Sequence, residues 1–300
     1  MGSVIFKRPP LRKLKKEGLF GVDLHFHTKY SLDAVSRIPT AIKKAEKKGF
    51  GFAITDHNTV KGVISSYRLR KHALIIPGIE VTCKNGNHIL AYFYAHTELE
   101  EFFEKMIKPH LKKNPFFTDL SLSEVIDSTT DYNCVTCAPH PFAPGAVSMK
   151  NTGVSKVIEK KLDAIEVLNG YNLRQRNMKA IYWASKLNKG VTGGSDGHST
   201  FELGNVLTLT HSTDIDNIFN EIKRNKAMVM GREENMVLKA MNTVSKGGTY
   251  INNCKKRHIT KKLITSQFGV EYNYFRKRFS NNKVKKFLEE HKKEFAKEGE

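Results

Sequence analysis

The stretch "DLHFHTKYSLDA", residues 23–34, puts two histidines one residue apart behind an apolar run, with an aspartate six residues past the second. A strand alternates its side chains between faces, so His25 and His27 project together and Asp23 shares their face. Two neighbouring imidazoles at the end of a strand make a ready pair of nitrogen ligands for a divalent ion. Further metal-capable groups recur along the chain: His57 in "TDHN", Glu80 in "GIEVT", His88 in "NHIL", His140 in "APHP", and Asp196 with His198 in "GGSDGHS". With Asp33 they make six histidines and three carboxylates. Nitrogen and carboxylate oxygen suit zinc, manganese or iron. No cysteine joins the set, which argues against a closed structural zinc site. Nine ligands exceed the need of one ion and fit two or three. A carboxylate can bridge two cations, and Glu80 is the natural bridge. Asp196 and His198 repeat the i, i+2 spacing of the opening pair.

These groups need a frame that gathers them. Short apolar runs alternate with amphipathic stretches from residue 20 onward. "LFGVDLHFH", "GFAITDHN", "HALIIPGIEVT", "HILAYFYAH", "CVTCAPHP", "LDAIEVLNG", "GVTGGSDGHS" and "NVLTLT" read as strands. "IPTAIKKAEKKG", "ELEEFFEKMIKPHL", "SLSEVIDSTT", "NLRQRNMKAIYWASKLN" and "DIDNIFNEIKRNK" read as helices, the first stopped by Gly49. Repeated strand–helix units predict a parallel sheet or barrel, in which chemistry collects at the C-terminal ends of the strands. The polar clusters fall at those ends. "GG" at 193–194 lets the backbone pass close to the site. The rhythm fades after about residue 232, "GGTYINN" reads as a break, and short basic helices are expected beyond it.

Three hundred residues suit one large α/β domain with a smaller appendage. The four cysteines do not make a disulfide framework, and "CVTC" reads as small buried residues of a strand. No apolar run spans a membrane, and the first twenty residues have too short an apolar stretch for a signal peptide, so no membrane partner and a cytoplasmic location are expected. The formal net charge is +20. Part of it sits at the ends: six basic against one acidic residue in 1–20, and fourteen against six in 255–300. Such ends attract phosphates or an oligonucleotide.

Taken in order, "DLHFHTKYSLD", "ITDHNT", "PGIEVT", "GNHIL", "APHP" and "GGSDGHS" resemble the motifs of the polymerase and histidinol phosphatase (PHP) family, over roughly residues 20–230. The resemblance implies an α/β fold, a distorted (β/α)7 barrel with a short basic, mostly helical C-terminal extension. It divides the chain into a basic segment 1–19, a barrel 20–232 and the extension 233–300. It implies two or three divalent ions (zinc, manganese or iron) at a trinuclear site. The first would take His25, His27, Glu80 and Asp196. The second would share Glu80 and add His88 and His140. The third would take Asp33, His57 and His198. Asp23 and Asp56 would orient ligand imidazoles.

The activity implied is hydrolysis of a phosphate ester by a metal-bridging hydroxide, on a small phosphorylated metabolite or nucleotide. Lys29, Arg174 and Arg176 are the residues expected to reach the phosphate. Three other readings fit the same residues. They are a nuclease on short DNA or RNA served by the basic ends, an amidohydrolase-type barrel cleaving a C–N bond, and a non-catalytic binding protein on the same fold. In the extension, Tyr272, Tyr274, Phe275 and Phe279 lie among Arg276, Lys277 and Arg278, a pattern that docks on the barrel or stacks bases.

Overall fold

A computed structural model describes residues 2–69, 72–145 and 147–256. Its frame is a mixed sheet of ten strands: β1 (Val4–Ile5), β2 (Phe20–Asp23), β3 (Gly51–Ile54), β4 (Ile75–Thr82), β5 (His88–Phe93), β6 (Cys134–Ala138), β7 (Ala164–Asn169), β8 (Gly190–Gly194), β9 (Val206–Thr210) and β10 (Met228–Gly231). Across the sheet they run β1-β10-β9-β2-β3-β4-β5-β6-β7-β8. β2, β3 and β4 pair in parallel, as do β6, β7 and β8. β5 runs antiparallel between β4 and β6, and β9 antiparallel to β2 and β10. The sheet is therefore mixed where strand–helix repetition alone predicts a parallel one. The segment 1–19 takes part in it, since Val4 and Ile5 pair with Val229 and Met230.

The sheet curls until its last strand meets its middle. Beyond β8, the Asp196 amide donates to the His25 carbonyl (2.8 Å) and the His27 amide to the Gly197 carbonyl (2.9 Å). Phe26 and Gly197 form an isolated parallel bridge. The result is the distorted α/β barrel expected from the sequence. Closure depends on the two glycines at the end of β8. A Cβ on Gly194 would stand 2.5 Å from the His25 amide nitrogen, and one on Gly193 would stand 2.3 Å from a Val229 methyl. Only the missing side chains let the strands approach so closely.

Helices cover the outside. In Ile38–Lys48, the residues Ile38, Ala41, Ile42 and Ala45 face the core while Lys43, Lys47 and Lys48 face water, and Gly49 closes the helix at φ +75°. Every residue of β4 and β5 is buried, which is why both read as continuous apolar runs instead of alternating ones. Cys134 and Cys137 are buried, unpaired residues of β6. No helix among the described residues is long and apolar enough to cross a membrane.

The expected break at "GGTYINN" is absent. A single helix, Met236–Lys256, runs through it. Each glycine costs a helix interior about 1 kcal/mol relative to alanine. Packing outweighs that cost here, because Tyr250 and Cys254 are buried in one apolar cluster with Leu32 and Phe116. Residues 257–300, with the aromatic and basic run at 272–279, lie outside the described residues.

Candidate metal centre

The barrel delivers all nine expected ligands to one end. His25 and His27 follow β2, His57 follows β3, Glu80 stands near the end of β4, His140 follows β6, and Asp196 and His198 follow β8. His88 opens its strand instead of closing it. Because β5 is antiparallel to β4, His88 pairs with Thr82 and reaches the same end. None of the nine is more than 7 % exposed, so the cluster is almost fully withdrawn from water.

Glu80 is the hub. Its Oε2 lies 3.3 Å from the Nε2 atoms of His25 and His27 and from Nδ1 of His57. Its Oε1 lies 2.9 Å from His88 Nδ1 and 3.1 Å from His140 Nε2. Asp196 Oδ1 stands 3.4 Å from His27 Nε2 and 3.6 Å from His25 Nε2. Asp33 Oδ2 reaches His198 Nε2 at 3.1 Å and His57 Nε2 at 3.7 Å. Four groups of ligand atoms fall within 4.8 Å of one another: His27, Asp33, His57 and His198; His25, His140 and Asp196; His25, His27 and Glu80; His57, Glu80 and His88. The first group contains Asp33, His57 and His198, the three residues expected to share an ion, together with His27, which was expected at another. His27, His57 and His140 thus each fall into a group the sequence did not give them.

The hydrogen bonding of these rings is incomplete. His27 Nδ1 and Nε2, His88 Nε2 and His140 Nδ1 are buried without a hydrogen-bond partner. Among the described residues the one other buried side-chain atom in that state is Ser36 Oγ. His27 Nε2 is 3.3 Å from Glu80, yet it does not point along a hydrogen bond to it. Orphaned buried nitrogens cost about 1–3 kcal/mol each unless something else binds them. Their concentration in one cluster, facing three carboxylates, fits divalent cations.

Electrostatics agrees. Burial alone would raise Glu80, Asp33 and Asp196, but adjacent imidazoles hold all three well below the carboxylate range. Burial and the charge of His198 lower His27 to about 4, and burial drives His57 well below its ordinary value. Burial also works against a charge on His25, but the carboxylates of Glu166, Asp196 and Glu80 outweigh it and raise that ring. The cluster thus holds ionised carboxylates, and His27 and His57 are kept neutral, the states in which both kinds of group bind metal, while His25, His140 and His198 are raised by the carboxylates beside them. Where a ring is raised, a carboxylate has attracted the nearest available positive charge.

Two ligand positions sit in strained backbone. His140 has φ +27° and Asp196 φ +52°. Non-glycine residues hold such angles at a cost of about 1–3 kcal/mol and persist where neighbours fix them. The Asp196 amide is pinned by the His25 carbonyl, and the His140 amide by Glu166 Oε2 at 2.7 Å.

Glu166 is the group the sequence reading missed. Its Oε1 accepts from His25 Nδ1 at 3.0 Å and its Oε2 from Asn169 Nδ2 at 2.9 Å. The register of β7 on β8 shifts between Glu166 and Leu168, which aims this carboxylate into the site. Asp23 and Asp56 do not take the role expected of them. Asp23 accepts from the amides of His25, Ser195 and Gly204, and Asp56 from the Thr28 amide and hydroxyl. Both fix backbone under the ligands, not the rings. A second missed carboxylate, Glu202, accepts from the His198 and Ser199 amides.

The expected phosphate contacts separate. Arg174 forks onto Glu233 at 2.6 and 2.8 Å and lies over the Phe6 ring, so an internal carboxylate has taken its fork. Lys29 lies over the Tyr30 ring and outside the pocket at the cluster. Arg176 does line that pocket. Lys239 and Lys246, which no motif had singled out, line it too.

The PHP domain model matches residues 23–299. The chain belongs to the PHP domain family. It is 30% identical over 161 residues to an uncharacterized Methanocaldococcus jannaschii protein, covering 50% of this chain and 82% of that one. Its fold is similar to that of a Bacteroides vulgatus two-domain protein containing a predicted PHP-like metal-dependent phosphoesterase, with TM-score 0.54, 15% identity, and 85% and 74% of the two chains covered. It is also similar to the lesion-specific endonuclease EndoQ of Pyrococcus furiosus, with TM-score 0.55 and 19% identity. There the match covers 70% of this chain and 57% of the endonuclease, so this chain spans less than two thirds of that protein. The family expected from the motifs is thus the family of the chain, and the fold is that of PHP-like metal-dependent phosphoesterases.

Proposed function

We propose that this PHP chain hydrolyses a phosphate ester at a cluster of two or three divalent ions, zinc, manganese or iron, held by His25, His27, Asp33, His57, Glu80, His88, His140, Asp196 and His198. One observation carries the reading: four orphaned imidazole nitrogens converge with three buried carboxylates at the floor of a pocket. Bound ions would supply an acidified water as nucleophile and offset the charge that develops on the phosphoryl group. Glu80 is central to the set, since each of its oxygens faces at least two imidazoles. Glu166 fixes the His25 ring, and Asp23 and Asp56 fix the loops that carry the ligands. The substrate is a small phosphorylated metabolite or a nucleotide.

A second reading, a nuclease acting on short DNA or RNA, draws on two observations: the fold likeness to EndoQ and the basic composition of the chain. The deciding experiment strips the full chain with chelator and reloads it with manganese, zinc or iron. The loaded forms are then offered phosphate monoesters, nucleotides, short oligonucleotides and N-acyl compounds. Hydrolysis of a phosphate ester that chelation abolishes is the expected result. Turnover of N-acyl compounds alone, or of nothing under every metal, overturns the proposal.

A further inference from the structure

The helix Met236–Lys256 is tied to four separate loops at the ligand end of the barrel. Lys239 donates to the Asn172 carbonyl, and Thr243 pairs with the Tyr171 hydroxyl. Asn242 bonds Glu202 at 2.9 Å, and Asn253 bonds the Leu32 carbonyl at 2.8 Å. Tyr250, fully buried, accepts from Asn114 at 2.6 Å and packs edge-on against Phe116, whose ring centre is 4.2 Å from that of His57. The helix is therefore a fixed wall of the site.

That wall is cationic. Lys246 is half-buried and lines the same pocket as His57, Glu80, His140 and Asp196, with its Nζ 4.9 Å from the centre of the Tyr171 ring. Its charge helps keep Asp33 and Asp196 ionised and works against protonation of His198. Arg176 lines the same pocket. A lysine here repels the divalent ions that the carboxylates attract. The arrangement becomes favourable when an anion lies between the two sets of positive charge.

We propose that Lys246, with Arg176 of the same pocket, binds the non-bridging oxygens of the phosphoryl group and makes the site selective for phosphate monoesters over diesters. A monoester presents a doubly charged group with three such oxygens. A diester presents one charge and two oxygens, so it offers the two cations less to bind. The proposal rests on the phosphoesterase reading and narrows its substrate class.

The test uses the full chain loaded with manganese, as wild type, K246Q and K246R. The substrates are p-nitrophenyl phosphate and bis-p-nitrophenyl phosphate, and inorganic phosphate binding is followed by calorimetry. Wild type should prefer the monoester. K246Q should lose on the order of 10- to 100-fold in kcat/KM for it, the scale of a charge-assisted hydrogen bond, mostly through KM, and less than about threefold for the diester. K246R should recover most of that loss, phosphate should bind about tenfold more weakly to K246Q, and metal content should not change. A wild-type preference for the diester, an equal fall on both esters, or loss of metal from K246Q overturns the proposal. If wild type cleaves neither ester, the phosphoesterase reading is judged by the wider substrate and metal panel above, and the phosphate titration decides Lys246: unaltered affinity in K246Q overturns its role and weakened affinity upholds it.

Discussion

Five buried aspartates and glutamates around one barrel end behave in two opposite ways. Glu80, Asp33 and Asp196 lie among imidazoles and are held well below the ordinary range. Asp23 and Asp56 lie one layer away, accept from backbone amides and a threonine hydroxyl, and are pushed up by burial to about 6 and about 7. All five are buried, so burial does not separate them. What separates them is the company of positive charge. A carboxylate among imidazoles is prepared for cations, while one among amide dipoles is prepared to fix a loop. Removing a charge from the upper layer should therefore impair chemistry, and removing one from the lower layer should change stability.

The largest effect is expected at Glu80. Glu80→Gln keeps the shape and removes the charge shared by five imidazoles. Turnover of the metal-loaded enzyme should fall by roughly a thousandfold or more, with the circular dichroism spectrum unchanged. Near-normal turnover with metal in excess would refute the central place of this residue. Next comes Glu166→Gln, which leaves a hydrogen-bonding group beside His25 but weakens its hold on that ring. Metal affinity, measured by chelator competition, should drop on the order of 10- to 100-fold, as when other ligand-orienting groups are lost. An affinity within twofold of wild type would place Glu166 with Asp23 and Asp56.

The first of these residues was legible in the sequence and the second was not, for a physical reason. A strand repeats every two residues, so "HFH" and "SDGH" announce a shared face, and "GIE" puts a carboxylate where a strand ends. Glu166 sits inside "LDAIEVLNG", which reads as an ordinary buried strand. Its signal was an acidic residue three positions before Asn169 in an otherwise apolar run, where an unpaired charge would be too costly to bury. The barrel was legible from strand–helix alternation. The antiparallel course of β5, which brings His88 to the right end, depends on pairing that no local pattern specifies. The helix carrying Lys246 was read as broken because two glycines hid a helix stabilised from outside by Tyr250 and Cys254.

The lower layer makes a prediction about stability and pH. Asp56 rises from its ordinary 3.8 to about 7 through burial. Below about pH 4, the folded and unfolded chains both hold this proton, and the residue adds no pH dependence. As pH climbs from 4 to 7, the unfolded chain releases the proton while the folded chain retains it, so wild type loses stability across that window. Asp56→Asn cannot ionise. Its stability relative to wild type should improve across the same window by on the order of 2–4 kcal/mol, read from urea denaturation at several pH values. A difference that is flat with pH, or that moves the other way, would mean that Asp56 is ionised in the fold and belongs with Glu80.

The smallest effect is expected where the sequence expected a phosphate contact. Arg174 and Arg176 are two residues apart on one helix, and the structure sends them to different tasks. Arg174 is an exposed side chain whose guanidinium is spent on Glu233 and stacked on Phe6, while Arg176 lines the pocket with Lys246. Exposed ion pairs contribute about 0–1 kcal/mol. Glu233 also keeps the Asn177 amide at 3.3 Å when the arginine is gone. Arg174→Ala should therefore lower stability by no more than about 1 kcal/mol and leave kcat/KM within about twofold of wild type. Arg176→Ala should act on KM for a phosphate monoester in the same direction as K246Q. If Arg174→Ala instead raises KM tenfold or more, its fork opens toward substrate during the reaction, and Glu233 is the latch that holds it in the resting enzyme.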